Sequence, residues 1–426
     1  AVDYLAEVWV NDTNVGGHEG SETPFTLDVT SAILPNAANR IAVRVLNPTN
    51  TPIDGIVLGQ TAHRNKNERL TVGGSYNVGG IMESVDLLLT PVVRIGDVHV
   101  QPDWKTGAVH IETTLVNAGD APATGHLEFM AGPAQRSEIN AAFNTPDAEI
   151  APGVSTIQAD LTVPQVKLWS LETPNLYCMN TWLAVNAPAA CNDENNLRFG
   201  FKDFRVERGF FRLNGKRIFL KSSHTGNHAP IDHTEAPECA PDLLRKDLYY
   251  MKSVGFNCVR FIAGVARPYQ LDLCDELGLL VYEECLAGWC LEDSPKMRER
   301  FTASLHEMIL RDRNHACLGI VGFLNETPDG PVFRHAVASL PDARALDPMH
   351  LMLLESGRWD GQWNIGSVSN PGSNEWEFEW GAEAKDSTER STWGMFGGYF
   401  TGAGDAHVYP ATPHTPEIEN GIATFG

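Results

Sequence analysis

The residues best placed to do chemistry are an amide and a carboxyl, Asn325-Glu326. They close a run of apolar and small residues, Leu318-Gly319-Ile320-Val321-Gly322-Phe323-Leu324. A helical pattern ending in Leu310-Arg311-Asp312-Arg313-Asn314-His315 precedes the run. An apolar run of that length after a helix predicts a strand buried on both faces, as in a parallel sheet. Polar residues at the carboxyl end of such a strand lie where barrel enzymes hold their reacting groups. A strand that merely ends in a solvated glutamate has the same local signature, so the flanking pattern must decide.

Other chemistries find less support. The eight cysteines, at 178, 191, 239, 258, 274, 285, 290 and 317, form no CxxC pair and no Cys/His spacing that suits zinc. Cys258, Cys274 and Cys317 sit inside apolar runs as small hydrophobes. This usage mildly favours a reducing compartment, and the compartment is otherwise open. There is no Gly-x-Ser-x-Gly elbow, and Ser356 has no obvious histidine partner in the sequence, so an esterase reading has no support. His224, His228 and His233, with Asp232 and Glu235 nearby, read as sugar contacts or a plain polar loop, with weak metal ligation a third option. No cofactor and no metal are expected.

The net charge is −22, from 32 basic and 54 acidic residues. A polyanion repels nucleic acid and anionic membrane, so neither is expected as a partner, although acidity also serves solubility. No run of about eighteen apolar residues predicts a membrane span. The chain opens on no signal-peptide pattern.

The elements that would position Asn325 and Glu326 alternate in type through the last half of the chain. Helices are predicted over residues 241–254, 268–277 and 295–312, and strands over 257–262, 279–283, 318–326, 350–354 and 404–409. That alternation is the pattern of a (β/α) fold. Before it, Asn214-Gly215 between two apolar segments signals a hairpin. The first 206 residues read instead as short period-2 strands separated by turns, the pattern of sandwiches. Strands are predicted at residues 4–10, 25–30, 40–45 and 79–85, then at 98–100, 108–117 and 125–129, with two more between 149 and 163. A chain of 426 residues suits two or three domains.

Several of these segments carry a resemblance. Asn325-Glu326 after its apolar strand, Gly200-Phe201-Lys202-Asp203-Phe204-Arg205, Phe211-Arg212-Leu213-Asn214-Gly215-Lys216-Arg217-Ile218-Phe219-Leu220 and Leu168-Trp169-Ser170 followed by Pro174-Asn175-Leu176-Tyr177 all resemble the family-2 glycoside hydrolases. These are the β-galactosidases, β-glucuronidases and β-mannosidases. The opening series (Trp9 strand, Asn11 turn, Gly17-His18-Glu19-Gly20, Pro24-Phe25, Asp28-Val29-Thr30) is similar to that family's sugar-binding jelly roll. The resemblance implies a multidomain chain. Residues 1–91 would be a jelly-roll β-sandwich lacking its amino end, and 92–206 an immunoglobulin-like β-sandwich. Residues 207–426 would be a (β/α)8 TIM barrel, partial, with about six strands.

It also implies roles. Glu326 would be the general acid/base of a retaining β-glycosidase, holding its proton before attack, and Asn325 would bond the sugar 2-hydroxyl. Arg260, ending the second barrel strand, resembles the arginine aimed at the nucleophile. Pairing with Glu283 or Glu284 is the equal alternative. His407 and Tyr409 stand where relatives place a contact to sugar or nucleophile, Tyr409 being favoured. Trp169 and Tyr177 are expected to pack. The nucleophile, a glutamate ending a seventh strand, is not found. Glu355 falls on the fifth strand, and Glu417 and Glu419 look like an exposed helix start. This reading therefore puts the nucleophile beyond Gly426, takes the chain as a piece of a longer one, and expects no glycosidase activity if Gly426 is a true terminus. Phe261-Ile262-Ala263-Gly264 and Cys285-Leu286-Ala287-Gly288-Trp289 depart from the family's usual runs, which leaves the sugar open. Residues 375–380, rich in Glu and Trp, read as a loop packing its own tryptophans or as a sugar-stacking rim. The expected partner is an oligo- or polysaccharide, and an oligomer is compatible. The rival reading is a non-catalytic carbohydrate-binding or scaffold protein.

Overall fold

The computed structural model describes residues 1–68, 75–187, 190–225, 241–357, 365–377, 407 and 416. Near the amino end, β1 (Leu5–Val10), β2 (Thr13–Glu19) and β3 (Ile41–Leu46) form an antiparallel sheet in the order β2-β1-β3. Asn11 and Asp12 turn the chain between β1 and β2 with φ of 51° and 71°, a region that short polar side chains tolerate. Residues 25–30 do not form the predicted strand. Phe25 instead stacks on His18 at 4.7 Å, and Thr23 just before it bonds Glu307 of a barrel helix. Docking took this segment out of the sheet despite its alternation. The strand predicted at 79–85 is confined to Gly80–Ile81, paired with Val2–Asp3.

The middle of the chain is a sandwich. β4 (Val93–Pro102), β5 (Ala108–Asn117), β6 (Ala123–Pro133), β7 (Gly153–Thr162), β8 (Tyr177–Ala187) and β9 (Cys191–Phe199) are its long strands. One sheet runs β7-β5-β4. The other carries β6-β8-β9, with Ala141–Asn144 on its edge. β5 alternates strictly between buried and half-buried residues, so Val109, Ile111 and Leu115 face inward against Leu127, Phe129, Met179 and Leu183. Tyr177 packs with Phe199 and Phe201, and its hydroxyl accepts the Lys167 amide at 2.8 Å. Trp169 is fully buried, and its Nε1–H donates to the Asp275 carbonyl at 2.9 Å, fastening the sandwich to a barrel helix. Asn314 adds two bonds across the same seam, to Val98 O at 2.8 Å and from Val100 N at 2.9 Å.

The barrel part has one six-stranded sheet: β10 (Ser222–Thr225), β11 (Cys258–Phe261), β12 (Leu280–Glu284), β13 (Leu318–Asn325), β14 (Leu351–Ser356) and β15 (Val368–Ser369). β10 to β14 are parallel, and β15 returns antiparallel on β14, so among the described residues the sheet is not closed. Helices α1 (Pro241–Ser253), α2 (Pro268–Leu277) and α3 (Met297–Asp312) are the crossovers between β10 and β13, and α4 (Pro331–Ala338) and α5 (Leu340–Leu346) follow β13. α2 has its proline in the first turn and ends at Gly278, whose φ of 69° suits glycine. The strand expected over 404–409 lies outside the described residues except for His407, which belongs to no strand.

β12, β13 and β14 are buried along their whole length, as parallel strands covered on both faces must be. A Cβ at Gly322, midway along β13, would lie 2.4 Å from the Tyr282 ring and 2.6 Å from Glu284 Cγ. The glycine gives two polar side chains of β12 room to cross to the carboxyl end of the sheet.

Candidate active site

β13 delivers Asn325 and Glu326 to that end. Glu326 takes φ of 46°, and its amide donates to the Ser356 carbonyl at 2.9 Å. A bulky residue in the left-handed region costs about 1–3 kcal/mol and persists where the surroundings fix it, typically at functional sites. The strand therefore stops at Asn325, and the next carboxyl is turned out of line, 31% exposed.

Asn325 is 3% exposed, and its side chain is clamped. Arg260 Nη2 donates to Asn325 Oδ1 at 2.6 Å, and Arg260 Nε donates to Glu284 Oε1 at 2.8 Å. The guanidinium lies 4.7 Å from the Tyr282 ring centroid. The second Glu284 oxygen accepts the Ala263 amide at 3.1 Å, where Ala263 has φ of 52°. Of the alternatives the sequence left for Arg260, the structure supplies the pairing, with Glu284. That pairing also puts the guanidinium on the candidate amide. One arginine links the ends of β11, β12 and β13.

Glu283 faces the other way. Its Oε2 accepts the Ala266 amide at 3.2 Å. Burial, and after it the neighbouring Asp312 charge, holds the Glu283 carboxyl well above the usual carboxylate range. Two consecutive acids in an apolar strand were the signal that β12 ends in a polar site, because neither can be buried without partners. Glu355, on β14, is fully buried, and its Oε1 accepts the Thr327 amide. Thr327 Oγ1 in turn donates to Asn325 O at 3.0 Å. Glu355 thus holds the loop that follows Glu326.

His407 reaches the same place from far along the chain. Its Nδ1 lies 2.5 Å from Glu326 Oε1, and its Nε2 lies 3.0 Å from Ser356 Oγ. Ser356, for which the sequence offers no histidine, has one here. The structure brings together Asn325, Glu326, Arg260 and His407. Tyr409, His228, His233, Asp232, Glu235, Glu417 and Glu419 lie outside the described residues. Trp376 is part of the packing: its ring meets Phe323 edge-on at 5.3 Å, and its Nε1–H donates to Val337 O at 3.3 Å.

One group among the described residues has metal-ligand types close together, Asp275, His315 and Cys317, at the amino end of β13. Both carboxylate oxygens are already used, by His315 Nδ1 and by the Cys317 amide, each at 2.7 Å. Burial pushes the Cys317 thiol well above its ordinary range. The trio anchors α2 to the start of β13.

Chemically, the site offers a partly open carboxyl able to give or take a proton, beside a fixed amide that can bond a hydroxyl-bearing ligand.

Three family models match the chain in succession. The sugar binding domain of glycosyl hydrolases family 2 covers residues 1–91, a model described simply as glycosyl hydrolases family 2 covers 93–202, and the family's TIM barrel domain covers 204–371. A β-galactosidase of Erwinia tasmaniensis is 27% identical over 336 residues, which are 76% of this chain and 31% of that protein. A β-galactosidase of Yersinia pestis is 26% identical over 345 residues, again 76% of this chain and 31% of that protein. The chain thus spans about a third of the length of these curated relatives. Among solved structures, a family 2 member from Bacteroides cellulosilyticus superposes with a TM-score of 0.67 at 22% identity, over 83% of this chain and 44% of that one. A Bacteroides uniformis β-glucuronidase gives 0.67 at 21%, over 84% of this chain and 43% of that one. At such identities these structures speak for the fold.

Proposed function

Because the chain belongs to family 2 of the glycosyl hydrolases, we propose that the protein hydrolyses β-linked sugars by a retaining double displacement, with Glu326 as general acid/base. The observation that carries this reading is the placement of Glu326 one residue past β13, turned out at the carboxyl end of a parallel sheet beside a clamped amide. In the first step the Glu326 carboxyl gives its proton to the glycosidic oxygen as a carboxylate attacks the anomeric carbon. In the second its carboxylate takes a proton from the incoming water. Asn325 bonds the 2-hydroxyl, a contact that strengthens as charge develops on the sugar ring. Arg260 fixes the amide's orientation through its fork to Glu284. Tyr409 is a further sugar contact. The nucleophile is a glutamate of a later strand than those described. Residues 1–91, 92–206 and 207–426 act as three units, the first two supporting the barrel.

The sugar is an open choice between galactose-, glucuronic acid- and mannose-type substrates. A panel of nitrophenyl β-glycosides on the full-length protein tests the reading: one sugar should be cleaved with retention at the anomeric carbon. Binding of sugars with no turnover on any member would support the carbohydrate-binding alternative instead.

A further inference from the structure

We infer that His407 is a positioning residue for Glu326: its imidazole bridges the Glu326 carboxyl and the Ser356 hydroxyl and so fixes the carboxyl's orientation. The inference rests on the proposed acid/base reading and deepens it, since sequence reasoning assigned His407 to the sugar or the nucleophile.

The bridge uses both ring nitrogens, Nδ1 at 2.5 Å from Glu326 Oε1 and Nε2 at 3.0 Å from Ser356 Oγ. An imidazole held at both ends cannot swing, and the carboxyl oxygen bonded to it cannot rotate away. The cradle is shaped for the ring. Gly357, at φ of 68°, has no Cβ, and one placed there would lie 2.5 Å from His407 Nδ1 and 2.7 Å from its Cγ and Cε1. Glu326 is tied to the same strand end through its own backbone, by the bond from its amide to Ser356 O at 2.9 Å. Side chain and main chain of Ser356 therefore set His407 and Glu326 relative to each other. Ser356 is 2% exposed, which suits a supporting hydroxyl rather than an attacking one.

Among the described residues, Glu355, beside Ser356 on β14, accepts the Thr327 amide, and Arg260 and Glu284 on β11 and β12 pair with each other. Among the same residues, Glu326 is the carboxyl bonded to the His407 ring. The serine hydroxyl can donate to a neutral ring or accept from a cationic one, so the bridge survives either state.

The test follows the His407 ring by 15N NMR in the full chain, its signal assigned through His407→Gln. In Glu326→Gln the His407 Nδ1 resonance should shift, because the carboxyl bonded to it becomes an amide. Ser356→Ala should shift the Nε2 resonance and leave the Nδ1 resonance largely in place, which keeps the inference testable if Glu326→Gln fails to fold. An Nδ1 resonance unmoved in Glu326→Gln, or an Nε2 resonance unmoved in Ser356→Ala, overturns it. So does labelling of Ser356 by a fluorophosphonate, which would make the serine a nucleophile. No arm needs turnover. Lost coupling sinks this inference alone, and absent glycoside cleavage with coupling intact sinks the proposed function alone.

Discussion

Arg260 Nη2 donates to Asn325 Oδ1 at 2.6 Å across 65 residues of sequence, and the same guanidinium grips Glu284. The amide at the centre of the site is thus oriented by an ion pair that lies almost wholly out of solvent: Glu284 is 0% exposed and the arginine side chain 15%. Asn325 keeps its pose only while Arg260 and Glu284 hold each other.

Arg260→Met strands the Glu284 charge in the interior, and a buried charge left without its partner costs about 3–5 kcal/mol. The double variant Arg260→Met/Glu284→Leu removes both charges and should recover most of that loss. Arg260→Lys keeps the charge but not the planar fork, so it should fall between. Urea unfolding of wild type, Arg260→Met, Glu284→Leu and the double variant, read as a double-mutant cycle with Arg260→Lys alongside, checks this.

Glu283 supplies a pH dependence of stability. Its carboxyl, raised by burial and then by Asp312, keeps its proton in the fold at pH values where the unfolded chain releases it. The unfolded state then binds fewer protons, so stability is full at acid pH and falls as pH climbs above the ordinary carboxylate range. Each unit of displacement is worth about 1.4 kcal/mol. Glu283→Gln should flatten the fall, gaining on the wild type as pH rises. Denaturant midpoints at mildly acid and mildly alkaline pH measure it, and parallel curves for the two proteins would count against a neutral buried Glu283.

Trp169 joins sandwich to barrel through packing and one hydrogen bond to Asp275 O. Trp169→Ala should cost about 3–5 kcal/mol, the range for emptying a large aromatic site. Trp169→Phe keeps most of the volume and leaves a buried carbonyl without its donor, so its cost should be nearer 1–3 kcal/mol. Thermal unfolding by circular dichroism ranks the two.

Local patterns carried the elements well where side-chain periodicity and turn chemistry agreed. Residues 108–117 alternate and are bounded by a turn, and the strand is Ala108–Asn117. The helix expected from Pro268 to Leu277 on its first-turn proline has those bounds, and the structure adds Gly278 as its cap. Residues 25–30 alternate as well, yet Phe25 stacks on His18, and His18 and Thr23 both bond Glu307 of α3, long-range contacts that no local window contains. In the site, Asn325 and Glu326 were visible because a buried strand ends on them. Glu284 was visible only as one of two candidate partners, since strand alternation had to decide which acid faces Arg260. His407, 81 residues from Glu326, and the Ser356–His407 pair depend on how the chain returns to the sheet end, which spacing alone does not encode.

The most direct test compares Glu326→Gln with wild type in the full-length protein on two substrates of the same sugar, one with an unactivated alcohol as leaving group and one with nitrophenol. The account predicts a loss of about 10²–10⁴-fold on the first and a far smaller loss in the first chemical step on the second, which needs no proton on its leaving oxygen. Equal losses on the two, or wild-type turnover left unchanged by the substitution, would contradict it.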